Sequence, residues 1–147
     1  MTLSASVSKL SDVMFSKVHT LSIDINTSVQ SVYTYVRDGF NLPVWASSFC
    51  LYAGKTERGW ELETPGGRVQ MSFCADNHLG VLDHNVVLEN GVSIYVPMRV
   101  IKNNEGCTVI FTLLQGSNMD ERELEADKIA IMADLRRLKS MLEEGEI

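Results

Sequence analysis

From Trp60 to Gln115 the chain reads as one short strand after another, and from Asp120 to Glu144 as one long amphipathic helix. Strands that recur this closely, with no helix between them, pair antiparallel, because a parallel crossover needs a dozen or more residues. Such a sheet has one apolar face to cover, and the long helix is the element available to cover it. Asp120 and Glu123 form a capping-box pattern in an acid-rich first turn. Leu124, Ile131, Leu135, Leu138 and Leu142 fall on one stripe, with Asp134/Arg137 and Lys139/Glu143 at pairing distance.

The earlier elements fit the same plan. Val18 to Ile25 alternates, with His19, Leu21, Ile23 and Ile25 on one face. Thr27 and Gln30 suggest a second capping box, followed by the stripe Val29, Val32, Tyr33 and Val36, which Gly39 ends. Asn41 to Trp45 suggests another short helix or tight loop, anchored by Trp45 and Phe49. Further strands are expected over Cys50–Thr56, Trp60–Thr64, Arg68–Ala75, Val81–Leu88, Val92–Ile101 and Cys107–Gln115. Pro65-Gly66-Gly67 and Asn90-Gly91 supply turns. The expected architecture is α+β: a curved seven-stranded antiparallel sheet wrapped around the C-terminal helix, with two short helices after the first strand. Residues 1–16 read as an arm and 17–147 as a single domain.

Several function classes recede on composition. The net charge is −6 and Lys and Arg form no cluster, so a nucleic-acid partner is not expected. No run approaches the roughly 18 apolar residues of a membrane span. The first sixteen residues lack the basic start and apolar run of a secretory signal, which makes cytoplasm the expected compartment. Cys50, Cys74 and Cys107 are widely spaced, and His19, His78 and His84 have no metal-ligand spacing, so no metal is expected. Neither a GxSxG elbow nor a GxxxxGK[ST] phosphate loop occurs, and no cofactor is implied.

The element order, together with "NLPVWASSF", "GVLDHNVV", "MRVIKNNEGCTVIFTL" and "MDERELEADKIAIMADLRRLKSMLEE", resembles the START/polyketide-cyclase (SRPBCC) superfamily, which also includes the birch pollen allergens. The resemblance runs from about Lys17 to Glu144. It implies a helix-grip fold with a cavity between sheet and C-terminal helix. For function it implies the range that this superfamily hosts: lipid carriers, hormone receptors, aromatase/cyclases and interaction domains.

Strand parity points His84 inward with Leu82, Val86 and Leu88, where it could hydrogen-bond a ligand, move a proton, or be a satisfied core histidine. Asp83 has the opposite parity, which argues against an Asp83–His84 dyad and leaves Arg68 or Arg99 as its partner. Arg99 reads as an outer-face arginine, or, with a bulge, as an inward one holding a ligand's anion. Asp127 sits at the edge of the helix stripe, either at the cavity wall or in a structural role. Trp45, Trp60, Tyr35 and Tyr95 are aromatic candidates for a pocket rim or core. The expected lining is Ile23, Met71, Phe73, His84, Met98, Phe111, Leu113, Ile131 and Leu135. Binding of a small hydrophobic or aromatic ligand, lipid- or polyketide-like, is the leading expectation. The alternatives are a cyclase, dehydratase or aromatase using His84 for proton transfer, and an interaction domain with a filled core. Exposed sheet edges allow a homodimer, though no residue pattern demands one.

Overall fold

The computed structural model describes residues 14–144, so most of the expected arm lies outside the described residues. Chain order is β1 (Lys17–Ile25), α1 (Val29–Arg37), a 3₁₀ turn (Gly39–Asn41), α2 (Leu42–Trp45), β2 (Tyr52–Lys55), β3 (Trp60–Thr64), β4 (Gly67–Phe73), β5 (His84–Leu88), β6 (Ser93–Val96), β7 (Met98–Asn103), β8 (Gly106–Gln115) and α3 (Glu121–Glu144). The described strands form a three-stranded sheet, β1-β8-β7, and a five-stranded sheet, β2-β3-β4-β5-β6. Every strand pairing is antiparallel.

This corrects the expected single sheet of seven strands, and Pro97 is the reason. The stretch Val92–Ile101 was expected as one strand, but Pro97 has no N–H to continue a ladder. The chain changes sheets there: β6 pairs with β5, and β7 pairs with β8. The carbonyl of Pro97 still accepts from Thr112 N at 3.0 Å. Residues 80–82 span the seam on the other side. Val81 bridges to Arg99, Leu82 N donates to Met98 O at 2.8 Å, and Val100 N donates to Gly80 O at 2.9 Å. Regular pairing of β5 therefore starts at His84, three residues later than Val81. A side chain at Gly80 would meet the Val100 carbonyl, and its φ of +73° is left-handed.

Helix starts differ by one residue between expectation and structure. Ser28, not Thr27, caps α1, its Oγ accepting from Ser31 N at 3.0 Å. Asp120 caps α3 as expected, accepting from Glu123 N at 2.8 Å. The stripe of Leu124, Ile131, Leu135, Leu138 and Leu142 is buried throughout. Each such side chain contributes about 2 kcal/mol of apolar burial. α3 packs on β1 and α2. Its C-terminal end is tied down by Lys139 Nζ donating to Asp24 O at 2.8 Å and by Asn26 N donating to Glu143 Oε2 at 2.8 Å. Among the described residues, no helix is long and apolar enough to cross a membrane.

Gly39 lies flat against Trp60, whose ring occupies the space a Cβ would take. Phe40 meets the same ring edge-on, with centroids 4.9 Å apart. Gly39→Ala should therefore cost about 1–3 kcal/mol, read as a melting temperature several degrees below the parent's. An unchanged melting temperature would mean that the ring does not rest on this glycine.

Candidate functional site

The inner faces of the sheets, α2 and α3 enclose a partly open apolar cavity lined by Val36, Leu42, Trp45, Ala46, Phe49, Met71, Phe73, His84, Val86, Met98, Phe111, Ile131, Asp134 and Leu135. Register brings the strand residues together. Met71 pairs with Val86, Phe73 with His84, and Met98 with Phe111, so the alternation of four strands delivers one wall. The cavity measures about 50 Å³, counted as the room open to the centre of a water-sized sphere. That is space for roughly four waters. It is narrower than the sequence suggested, because Trp45, Phe49, Phe73 and Phe111 project into the hollow.

His84 points into this cavity, as its parity requires. Its Nδ1 lies 3.0 Å from the Leu82 carbonyl. A carbonyl only accepts, so the neutral ring carries its proton on Nδ1 and leaves Nε2 as an acceptor. Burial pushes its pKa below the ordinary histidine value, against opposing contributions from the Leu82 carbonyl and Asp83. The ring packs edge-on against Phe73 with centroids 5.5 Å apart.

Asp134 is a lining residue that stripe counting missed as a wall group. Sequence spacing showed its pairing with Arg137 but not where the pair points. Its Oδ1 accepts from Arg137 Nη1 at 2.7 Å and from Ser48 N at 3.0 Å. The same Arg137 nitrogen donates to the Trp45 carbonyl at 2.9 Å. One ion pair on α3 thereby clamps both the end of α2 and the turn after it. Val86, which parity points inward with His84, also lines the cavity, and Val36, Leu42, Ala46 and Phe49 join it without having been expected there. A residue's reach across a loop is not encoded in strand or helix periodicity.

The remaining candidates divide. Trp45, Met71, Phe73, His84, Met98, Phe111 and Ile131 meet at the cavity. Ile23 and Leu113 lie on the inner side of β1 and β8 but do not line it. Trp60 belongs to a separate outer cleft with Phe40, Arg37 and Lys55, whose Nζ sits 5.9 Å from the Trp60 ring centroid. Tyr35 is partly buried at the edge of the core. Asp127 is buried on α3 outside the lining.

Tyr95 and Arg99 face the outer side, away from the cavity; this agrees with the outer-face reading of Arg99 and its pairing with Asp83, and corrects the reading of both as ligand contacts. Both converge on Asp83. Tyr95 Oη donates to Asp83 Oδ2 at 2.6 Å, and Arg99 donates through Nε and Nη2 at 3.0 Å each. Met98 N donates to Asp83 Oδ1 at 2.9 Å. No bulge turns Arg99 inward, because its backbone stays in register with Ile110. These donors, the Arg99 guanidinium foremost, hold the Asp83 carboxyl at about 2 despite its burial. Among the described residues no three His, Cys, Asp or Glu side chains gather as a metal site.

The fold is shared with solved structures of low sequence similarity. The Aha1 dimer from Colwellia psychrerythraea superposes with a TM-score of 0.69 at 14% identity, over 89% of this chain and 99% of that one. XoxI from Bacillus cereus gives 0.67 at 17% identity, over 88% and 98%. CalU16 from Micromonospora echinospora gives 0.63 at 13% identity, over 86% and 74%. No family model and no curated protein sequence matches the chain. The α+β helix-grip architecture expected from the resemblance is thus the observed one.

Asp83 gives this fold an acid-sensitive seam. Its folded pKa of about 2 lies below the ordinary 3.8, so its contribution is complete above about pH 4 and fades as pH falls through 2. The depression corresponds to about 2 kcal/mol at most, since half-exposed Arg99 is screened by water. Asp83→Asn should lose up to that amount at neutral pH and show a flatter stability curve between pH 4 and 2. Urea titrations of parent and variant at several pH values check this; parallel curves would exclude it.

Proposed function

We propose that this protein holds a small hydrophobic or aromatic molecule in the cavity between its sheets, α2 and α3. The observation that supports this most is the composition of the wall. It is apolar except for a few placed polar groups, the pattern of small-molecule sites. Among the described residues, His84 and Asp134 are its only ionisable lining residues. The sequence resemblance to a superfamily of carriers and cyclases agrees with such a role.

Volume sets the size of the guest. At about 50 Å³ the room is a third of the roughly 150 Å³ engineered apolar cavity that admits benzene, so even a single aromatic ring enters only as part of the wall gives way. A lipid chain or a multi-ring polyketide would have to displace Met71, Met98 or Phe49. The two methionines are the adaptable part of that wall, since a thioether side chain repacks at little cost.

A cyclase or dehydratase would use His84 Nε2 as a general base and need a partner acid. The other ionisable lining residue among those described, Asp134, is ion-paired with Arg137 at 2.7 Å and accepts a backbone N–H. Its work is to hold α2. Binding without chemistry is therefore the reading the geometry favours.

Toluene at a hundredfold excess over its dissociation constant should stabilise the protein by about 2.7 kcal/mol. Thermal melts read this as a rise of several degrees. Naphthalene, with two rings, should stabilise less at equal concentration. Ala46→Leu, which fills the cavity from α2's end, should abolish the toluene shift. A parent protein whose melting temperature responds to neither compound has no such cavity function.

A further inference from the structure

Among the described strands, β1 is the outer strand of its sheet and pairs only with β8. Both backbone groups of a residue in an antiparallel strand point the same way, so they divide by parity. Thr112, opposite Thr20, gives its N–H to Pro97 O on the β7 side at 3.0 Å. Asp24, of the same parity as Thr20, turns its carbonyl out of the ladder to Lys139 Nζ at 2.8 Å. Val18, Thr20 and Ser22 therefore turn their N–H and C=O groups to the open edge, and no described residue takes them. Their side chains are exposed as well.

Proteins blunt such edges with short strands, proline, bulges or charge. β2, the outer strand of the other sheet, has four residues and ends on Lys55. β1 has nine, and its register runs unbroken from Lys17 opposite Gln115 to Ile25 opposite Cys107. Its charged residues, Lys17 and Asp24, stand outside the free run. Met14 and Phe15, just ahead of it, are 86% and 81% exposed, more open than any other large apolar residue described. A long unblunted edge beside apolar surface is a template for another strand.

We propose that the partner is a second copy of this chain, its β1 paired antiparallel with the first about a two-fold axis at Thr20. This register sets Thr20 against Thr20 and Val18 against Ser22, each pair exchanging both N–H···O bonds, and uses all three free residues. An axis at Ser22 would bring Thr20 opposite Asp24, whose carbonyl Lys139 already holds. An axis at Val18 would leave Ser22 opposite Met14, ahead of the strand. With the axis at Thr20, Lys17 meets Ile23 and His19 meets Leu21, so no like charges oppose. Met14 and Phe15 are carried toward Asn26 and Ile25 of the second copy, at the rim of a cleft that Asn103, Gly106 and Lys139 also line. The three-stranded sheets of the two copies become one. No β1 residue lines the cavity, so pairing and ligand binding are tested apart.

Sedimentation equilibrium of the full chain should show a dimer with a dissociation constant of about 100 µM or tighter, as suits a small interface. Amide exchange followed residue by residue carries the sharper signature. The Val18, Thr20 and Ser22 amides should exchange several-fold more slowly in the dimer than after dilution to monomer. Those of Leu21 and Ile23, bonded to β8, should be slow in both. Thr20→Lys and Thr20→Glu each set like charges against themselves across the axis and should be monomeric with the parent's melting temperature. Mixed in equal amounts, the two variants should pair. A parent that stays monomeric at about 1 mM overturns the proposal, as does a dimer that Thr20→Lys leaves intact. Variants that melt like the parent but do not pair when mixed overturn it too. Edge amides that exchange slowly in the monomer would mean the edge is covered from within one chain, and that also overturns it.

Discussion

The carboxylate of Asp83 holds together the place where the two sheets part. Pro97 interrupts the ladder there, and an interrupted ladder leaves backbone donors to be satisfied by something else. Asp83 accepts the Met98 N–H on the far side of the break and collects Tyr95 and Arg99 from the outer face. Neighbouring residues of an extended chain point to opposite faces. Anchoring Asp83 outward therefore directs His84 inward. The orientation of His84 and the joining of the sheets are one constraint seen from two sides.

A second constraint comes from α2. Four residues cannot sustain a helix by their own hydrogen bonds, and Leu42 and Trp45 are its only buried side chains. The Asp134–Arg137 pair supplies what the helix lacks, binding the Trp45 carbonyl and the Ser48 N–H from α3. Asp134 is buried in its residue surface while Arg137 reaches partly into solvent. A buried carboxylate without its cation would be costly, so the pair acts as a unit. The hollow survives beneath this clamp because α2 is held at its backbone and not by a full complement of packed side chains.

These two features explain which parts of the molecule were legible in the sequence. α3 is plain, because a stripe of five apolar residues over 24 positions has one interpretation. His84, Met71, Phe73, Met98 and Phe111 are legible too, because period-two alternation places them whichever partner strand they meet. The division into two sheets is less visible. Pro97 marks the break, but a proline within a strand pattern also fits an edge or a bulge. Arg99 and Tyr95 show the limit from another side: parity places them outward, and only the position of Asp83 reveals what they serve. Leu42, Ala46 and Phe49 reach the cavity through the fold of a loop over a helix. Neither period two nor period 3.6 encodes that approach.

The narrowness of the cavity changes how it can discriminate. In a wide pocket, selectivity accumulates from apolar area, at about 0.8 kcal/mol for each methylene enclosed. A space for roughly four waters admits few methylenes to choose between. Fit then turns on which side chains can yield, and Met71 and Met98 are the ones in the wall that repack at little cost. The aromatic side chains that crowd the hollow thus leave the choice of guest to its thioethers.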